Sequence, residues 1–288
     1  MVQDLIEILK VLIESMDLAT YSYVKPGAPH RYSTYYKDIH CFIRLLTSSL
    51  PQYFKAAEMG EEIAKGRSRF VDAEIGRLIG RAIRSSSRAL EKASLPELHI
   101  VLVPAVVAAS YSIKSSGHMS IDTYRKGVSS LLLYNGEEDT LKLFEELRRA
   151  GGEIHASIEY SGITPGRIKT ENMSLHDLLT EASKRHKIIN FYVTRHSRIV
   201  ELGQRFAENY LKTGDLNQVT VKIYGELLEA VYGIKTDLNL RGKDDFMRLL
   251  KEDNSLHRKG EHLHRLLPVL TEAVFVGHLL LEKGRGSS

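Results

Sequence analysis

One cysteine, Cys41, in 288 residues excludes an intramolecular disulfide and any zinc site built from several thiolates. It follows His40 directly, and helix neighbours point about 100° apart. The pair therefore reads as a small buried thiol beside a histidine rather than a nucleophile with its base. Charge of one sign is scarce as well: 40 Lys and Arg stand against 36 Asp and Glu, a net +4. So mild an excess suits an anionic small molecule at least as well as a nucleic acid. The longest apolar run, residues 100 to 109, is interrupted by Pro104 and is shorter than the about 20 residues that span a bilayer. Asp4 and Glu7 sit within the N-terminal periodicity, where a signal peptide would be purely apolar. A cytoplasmic protein with no membrane partner is expected. There is no Walker loop, Rossmann fingerprint or Gly-x-Ser-x-Gly elbow. Two-residue alternation is absent over any useful length, apart from a possible short strand near 154 to 158.

What remains is helical periodicity. Leu5, Ile8, Leu9, Leu12, Met16, Ala19 and Tyr23 recur every three or four residues and predict an amphipathic helix over 3 to 24. Ile39, Phe42, Ile43, Leu46 and Leu50 continue the period to Pro51, a kink or a restart. Phe70 to Leu90 forms a helix with Arg77, Arg81, Arg84 and Arg88 along one strip, which as a charged face reads first as solvated surface. Pro96 opens a short helix that is apolar nearly all round and so deeply buried. Two helices follow over 120 to 134 and 136 to 150, then a less regular stretch with Gly162, Pro165 and Gly166 that reads as a long surface loop and potential lid. Ser174 with Asp177 opens the next helix as a near capping box. Further helices run to Gly214, over 219 to 232, from Phe246, and over 263 to 281. The fold class is all-α, a compact multi-helix array forming one domain over 1–283, with 284–288 as a disordered tail.

The stretch Lys25-Pro26-Gly27-Ala28-Pro29-His30-Arg31-Tyr32 joins the first two helices. Pro26 and Pro29 stiffen it, and Gly27 can take φ > 0 or admit a ligand to the backbone. Lys25 as a point charge, Arg31 as a planar fork and the loop N–H groups make a plausible polyphosphate cradle, with Tyr32, Ser33 and Thr34 hydroxyls close behind. An ordinary Pro/Gly connection carrying solvated charges is the plainer alternative.

A helix ending in Lys-Pro-Gly, then His30-Arg31, Asp38 and a helix with Phe42, Ser48 and Ser49 resembles the triphosphoribosyl-dephospho-CoA synthase family, especially its archaeal-type members. The resemblance extends to Gly76, Ile79 and Ala82, which match a Gly-x-x-Ile-x-x-Ala pattern. It reaches Asp253-Asn254-Ser255-Leu256-His257-Arg258-Lys259-Gly260, a late motif here compressed by about one residue. It implies an all-α enzyme that takes ATP and 3′-dephospho-CoA, releases adenine and joins the triphosphoribosyl group to a ribose hydroxyl. Lys25, Pro26, Gly27, Arg31 and Tyr32 would then bind substrate, with Arg258 and Lys259 as a second phosphate contact. His30 would either transfer a proton or contact phosphate, and Asp38 would serve as a base or a metal ligand. Magnesium would accompany ATP, with its ligands left unknown. The partners implied are ATP and a CoA-like nucleotide, with a homo-oligomer possible.

Three places depart from the family pattern. Ala28-Pro29 replaces Asn-Val in the loop, Ala93-Ser94-Leu95-Pro96-Glu97 lacks the usual Asn and Gly before Leu102-Val103-Pro104, and His186 stands where a carboxylate is expected. They support an alternative, a nucleotide-binding relative that has lost the chemistry. A helical nucleic-acid binder using the arginine strip ranks lowest, because no stacking aromatics are interleaved with it. His257, His262 and His264 raise a zinc reading that their spacing disfavours.

Overall fold

A computed structural model describes residues 2–36, 39–89, 95–260 and 263–283. Asp38, Ala93, Ser94, His262 and the 284–288 tail lie outside the described residues. The described residues fold as fourteen α-helices with no strand, so the all-α expectation holds. In order they are α1 (Val2–Tyr21), α2 (His40–Thr47), α3 (Leu50–Ala64), α4 (Ile75–Ala89), α5 (Pro96–Ser116), α6 (Ile121–Leu133) and α7 (Glu137–Ala150). Then come α8 (Gly152–Tyr160), α9 (Pro165–Thr170), α10 (Leu175–Ser183), α11 (Lys187–Thr213), α12 (Leu216–Tyr232), α13 (Lys243–Arg258) and α14 (Leu267–Lys283). A 3-10 turn, Leu263–Leu266, precedes α14.

α5 has no polar face, so it can be stable only when surrounded. It is buried almost continuously from Pro96 to Ile113, with α3, α6 and α14 packed around it. Gly60 lets α3 lie so close that a Cβ there would collide with the carbonyl oxygen of Val107. One chain of polar groups inside this core is paired from end to end. The Tyr53 hydroxyl lies 2.9 Å from His99 Nδ1, and His99 Nε2 lies 3.0 Å from Ser86 Oγ, which donates to the Ile83 carbonyl. α14 closes the other side against α1 and α11, where the Thr271 hydroxyl reaches Met16 Sδ at 3.3 Å.

Pro51 restarts a helix: it occupies the first turn of α3, where its missing N–H costs nothing. The capping box at Ser174 and Asp177 forms in full. Four expectations are corrected. Residues 154–158 are helical, because Ile154 and Ile158 are four apart and share a helix face as readily as they alternate. The supposed long loop is α8, α9 and two tight turns, so no free lid exists there. α5 is not short; it continues through Pro104 for 21 residues. It and residues 263–282 are long and apolar enough to cross a membrane by composition, but 83% of each window is buried in the fold. Alternation, finally, does occur: Ile234, Thr236, Leu238 and Leu240 turn inward while Lys235, Asp237, Asn239 and Arg241 turn out, in an extended segment with no strand partner among the described residues.

Candidate active site

α1 ends at Tyr21, and the chain from Val24 to His30 runs buried beneath α12 and α13. Lys25-Pro26-Gly27-Ala28 forms a turn closed by the Ala28 N–H on the Lys25 carbonyl at 3.0 Å, with Gly27 at φ +78°. Proline second and a positive-φ glycine third is the pattern of a type II turn. Both polar groups of its central peptide are held from afar. The Pro26 carbonyl accepts the Tyr224 hydroxyl at 2.5 Å, and the Gly27 N–H donates to Asp253 Oδ1 at 2.8 Å. A Cβ on Gly27 would come within 2.6 Å of Leu263 Cδ1. This glycine therefore serves the turn and the packing of Leu263, and its N–H is spent on Asp253.

Asp253 is the centre of a buried acid–base group. His30 Nε2 lies 3.3 Å from its Oδ2 and His257 Nε2 lies 3.3 Å from its Oδ1. Neither nitrogen has a well-directed hydrogen-bond partner, although both are buried. His30 Nδ1 accepts the Tyr32 N–H at 3.2 Å, which leaves the proton of the neutral ring on Nε2. Burial holds His30 below the usual histidine range, against the pull of Asp253. Lys25 is fully buried, and its Nζ donates to Ser22 Oγ at 2.7 Å. Burial, and then the charge of Arg31, push its amine well below the ordinary lysine range, and Asp253 opposes them only in part.

Aromatic rings cover this group. Tyr35 stacks on His257 with centroids 4.1 Å apart and donates its hydroxyl to Asn254. Tyr36 meets His257, His264 and Phe42 edge-on, and burial pushes its phenol upward. Tyr32 stands edge-on to Phe246 at 4.9 Å. Arg31 turns aside, donating to the Tyr21 carbonyl at 2.9 Å and to Asn217 Oδ1 at 2.7 Å. Arg258 and Lys259 lie on the outer side of α13. With Lys251, Asn254 and Ser255 they line a depression of about 400 Å³.

The structure thus brings Lys25, Pro26, Gly27 and His30 together, keeps Tyr32 at the rim, and places Arg31, Arg258 and Lys259 outside the buried group. Asp253 and His257 were legible only as members of the late motif, His257 also as a disfavoured zinc ligand. Their i, i+4 spacing on α13 was the available signal that they share a face. Among the described residues no three His, Cys, Asp or Glu side chains are grouped to hold a metal. Magnesium takes one or two carboxylates beside substrate phosphates. Asp253 is the carboxylate present here, and its oxygens already face an N–H and two imidazoles.

A second buried group gathers two of the departures. His186 caps α11, accepting the Ile189 N–H at 3.3 Å, and its Nε2 lies 2.7 Å from Glu97 Oε1. Arg265 reaches Glu97 Oε1 at 3.3 Å and Glu153 Oε1 at 2.7 Å. The histidine that replaces an expected carboxylate thus has a carboxylate against it, supplied by the other rewritten segment. The arginine strip is partly neutralised: Arg77 pairs with Glu74 at 2.7 Å, and Arg84 pairs with Glu146.

The family model described as CitG: ATP:dephospho-CoA triphosphoribosyl transferase matches residues 7–232. No curated protein matches, and no solved structure does. The matched stretch contains the whole Lys25–Tyr32 loop together with Glu97 and His186, while Asp253 and His257 come after it. A signature loop inside the match, folded around a buried proton-carrying group, agrees with what that stretch as a whole indicates: the chain belongs to the ATP:dephospho-CoA triphosphoribosyl transferase family.

Proposed function

We propose that this chain moves the triphosphoribosyl group of ATP onto a ribose hydroxyl of 3′-dephospho-CoA with release of adenine, and that the Lys25–Tyr32 loop with α13 is where it does so. The observation that carries the placement is the meeting of His30, Lys25 and His257 around Asp253, with both imidazole Nε2 atoms left at 3.3 Å and without completed bonds. Two imidazoles sharing one buried carboxylate, beside a lysine whose charge burial disfavours, make the kind of perturbed cluster expected at a reaction site.

The reaction breaks the bond between ribose C1′ and adenine, forms one from C1′ to the acceptor oxygen, and passes through an oxocarbenium-like centre. It needs a base for the acceptor proton and an acid for departing adenine. The Asp253–His30–His257 group supplies both: Asp253 stabilises whichever imidazole carries the extra proton. Arg31, Arg258 and Lys259 are the solvent-facing cations suited to triphosphate. Lys25 is reached only by a phosphate that enters the loop, and such a phosphate would restore its charge by supplying the missing counter-ion. Magnesium, proposed to arrive on ATP, would neutralise phosphate charge; the described residues offer it no grouped set of ligands, and no step above depends on it.

The test is adenine release from ATP and magnesium, followed by chromatography with and without 3′-dephospho-CoA. Adenine that appears only with the acceptor supports transfer. Absence of adenine, with ATP still raising the melting temperature, assigns the chain to the nucleotide-binding alternative.

A further inference from the structure

The 3-10 turn Leu263–Leu266 makes contacts in three directions from three consecutive residues. Leu263 sits against Gly27, where no Cβ would fit. His264 meets the rings of Tyr36 and Phe42 at 6.3 and 5.9 Å. Arg265 leaves the site altogether and joins Glu97 at the start of α5 and Glu153 at the start of α8, beside the His186 cap of α11. A 3-10 helix advances one third of a turn per residue, so successive side chains point about 120° apart. The rotation that aims Arg265 at its carboxylates therefore also aims Leu263 at the loop and His264 at Tyr36.

We infer that Arg265 is a positioning residue for the loop site. Its guanidinium, held by carboxylates on two other helices, fixes the rotation of the 263–266 turn. Through Leu263 that rotation sets the Gly27 peptide against Asp253, and through His264 it sets the tyrosine beside His257. Glu97 gives the tether its rigidity: it is buried, and His186 holds it from the other side at 2.7 Å. Arg265 touches no group of the loop, so its effect is on placement. The inference rests on the reading of the loop as the reaction site for its kinetic consequence, and on geometry alone for its mechanical one.

Arg265→Met and Arg265→Lys are compared with Arg149→Met, which removes a different arginine–glutamate pair on α7. The first readout is hydrogen exchange at the Gly27 amide, whose acceptor is Asp253. Arg265→Met is expected to speed it more than about tenfold while the amides of α4 stay as protected as before; Arg149→Met leaves Gly27 unchanged. The second is adenine release. A misplacement of about 1 Å costs on the order of 100-fold in turnover, so kcat is expected to fall by about that factor with KM for ATP little moved. Arg265→Lys, which keeps the charge but not the planar fork, recovers part of it. Unchanged exchange at Gly27 in Arg265→Met overturns the inference whatever the activity does. If Gly27 exchange rises while both Arg265→Met and Asp253→Asn keep full turnover, the tether stands and the assignment of the loop as reaction site falls.

Discussion

Asp253 and Glu97 are both buried carboxylates set against an imidazole and near a cation. Around Glu97 the bonds are short and shared: His186 at 2.7 Å, Arg265 reaching across to Glu153 at 2.7 Å, and a helix capped by the same histidine. Around Asp253 the one short bond is to a backbone N–H, and two imidazoles stand off at 3.3 Å while Lys25 donates a hydrogen bond to a serine instead. Local dielectric is low in both places, so an unfinished pair costs more than it would at the surface. Each cluster leaves a buried atom unpaired, Glu97 Oε2 in one and the two imidazole Nε2 atoms in the other. What differs is reach: the short bonds around Glu97 tie α5, α8 and α11 together, whereas the contacts around Asp253 are longer and, on the proposed reading, are where a substrate adds its own.

The largest effect that would break this contrast is expected from Asp253→Asn. Removing the shared carboxylate should lower adenine release by about 1000-fold, within the usual span of acid–base contributions; turnover near that of the parent would make Asp253 a structural anchor like Glu97. Lys25→Met comes next. Turnover is expected to fall about 100-fold, yet the melting temperature should hold or rise, since the change replaces a buried amine whose charged form its surroundings disfavour with an apolar chain of similar length. A clear loss of stability would show Lys25 to be a finished part of the core. Glu97→Gln should do the reverse, costing about 3 kcal/mol in denaturant unfolding by leaving Arg265 and His186 without their shared partner. No change in the unfolding midpoint would remove the distinction from the Glu97 side.

The effect that is smallest per group concerns pH. Burial holds His99 at about 3 and His278 at about 4, both below the unfolded value of 6.5. The unfolded chain therefore binds protons that the folded chain refuses as pH falls through 6.5, and stability present at neutral pH is lost progressively toward pH 4 and 3. His30 is lowered by the same cause and adds in the same direction. Each unit of difference corresponds to at most about 1.4 kcal/mol for one group. Unfolding measured at pH 7 and 5 checks the slope, and His99→Gln should flatten it. A slope of the opposite sign would mean that these rings are charged in the folded protein.

The helices were legible where periodicity and caps agreed, as at Ser174 with Asp177 and at α5, whose all-round apolarity announced its burial. Residues 154–158 misled because two isoleucines four apart satisfy either period once a histidine and a serine lie between them. The loop stood out by its own residues, and so did its role as a rigid turn. Its depth did not: lysine is almost never fully buried, and nothing in Lys25-Pro26-Gly27 reveals that Tyr224 and Asp253 lie over it. The same limit hid the meeting of Glu97 with His186, two departures that looked like separate losses 89 residues apart. Local pattern names a side chain's chemistry, but the partner that tunes it is set by packing across the chain.

The central peptide of the loop turn is held by residues about 200 positions later. Chains are made from the N-terminus at about 5–20 residues per second, so the turn waits on the order of ten seconds or more for Asp253 to be synthesised. Until then the Gly27 N–H has no acceptor, although the matched stretch is already complete at residue 232. The fold thereby makes its first loop depend on the last part of the chain: one that stops before α13 lacks Asp253 to accept the Gly27 N–H and Leu263 to pack against it.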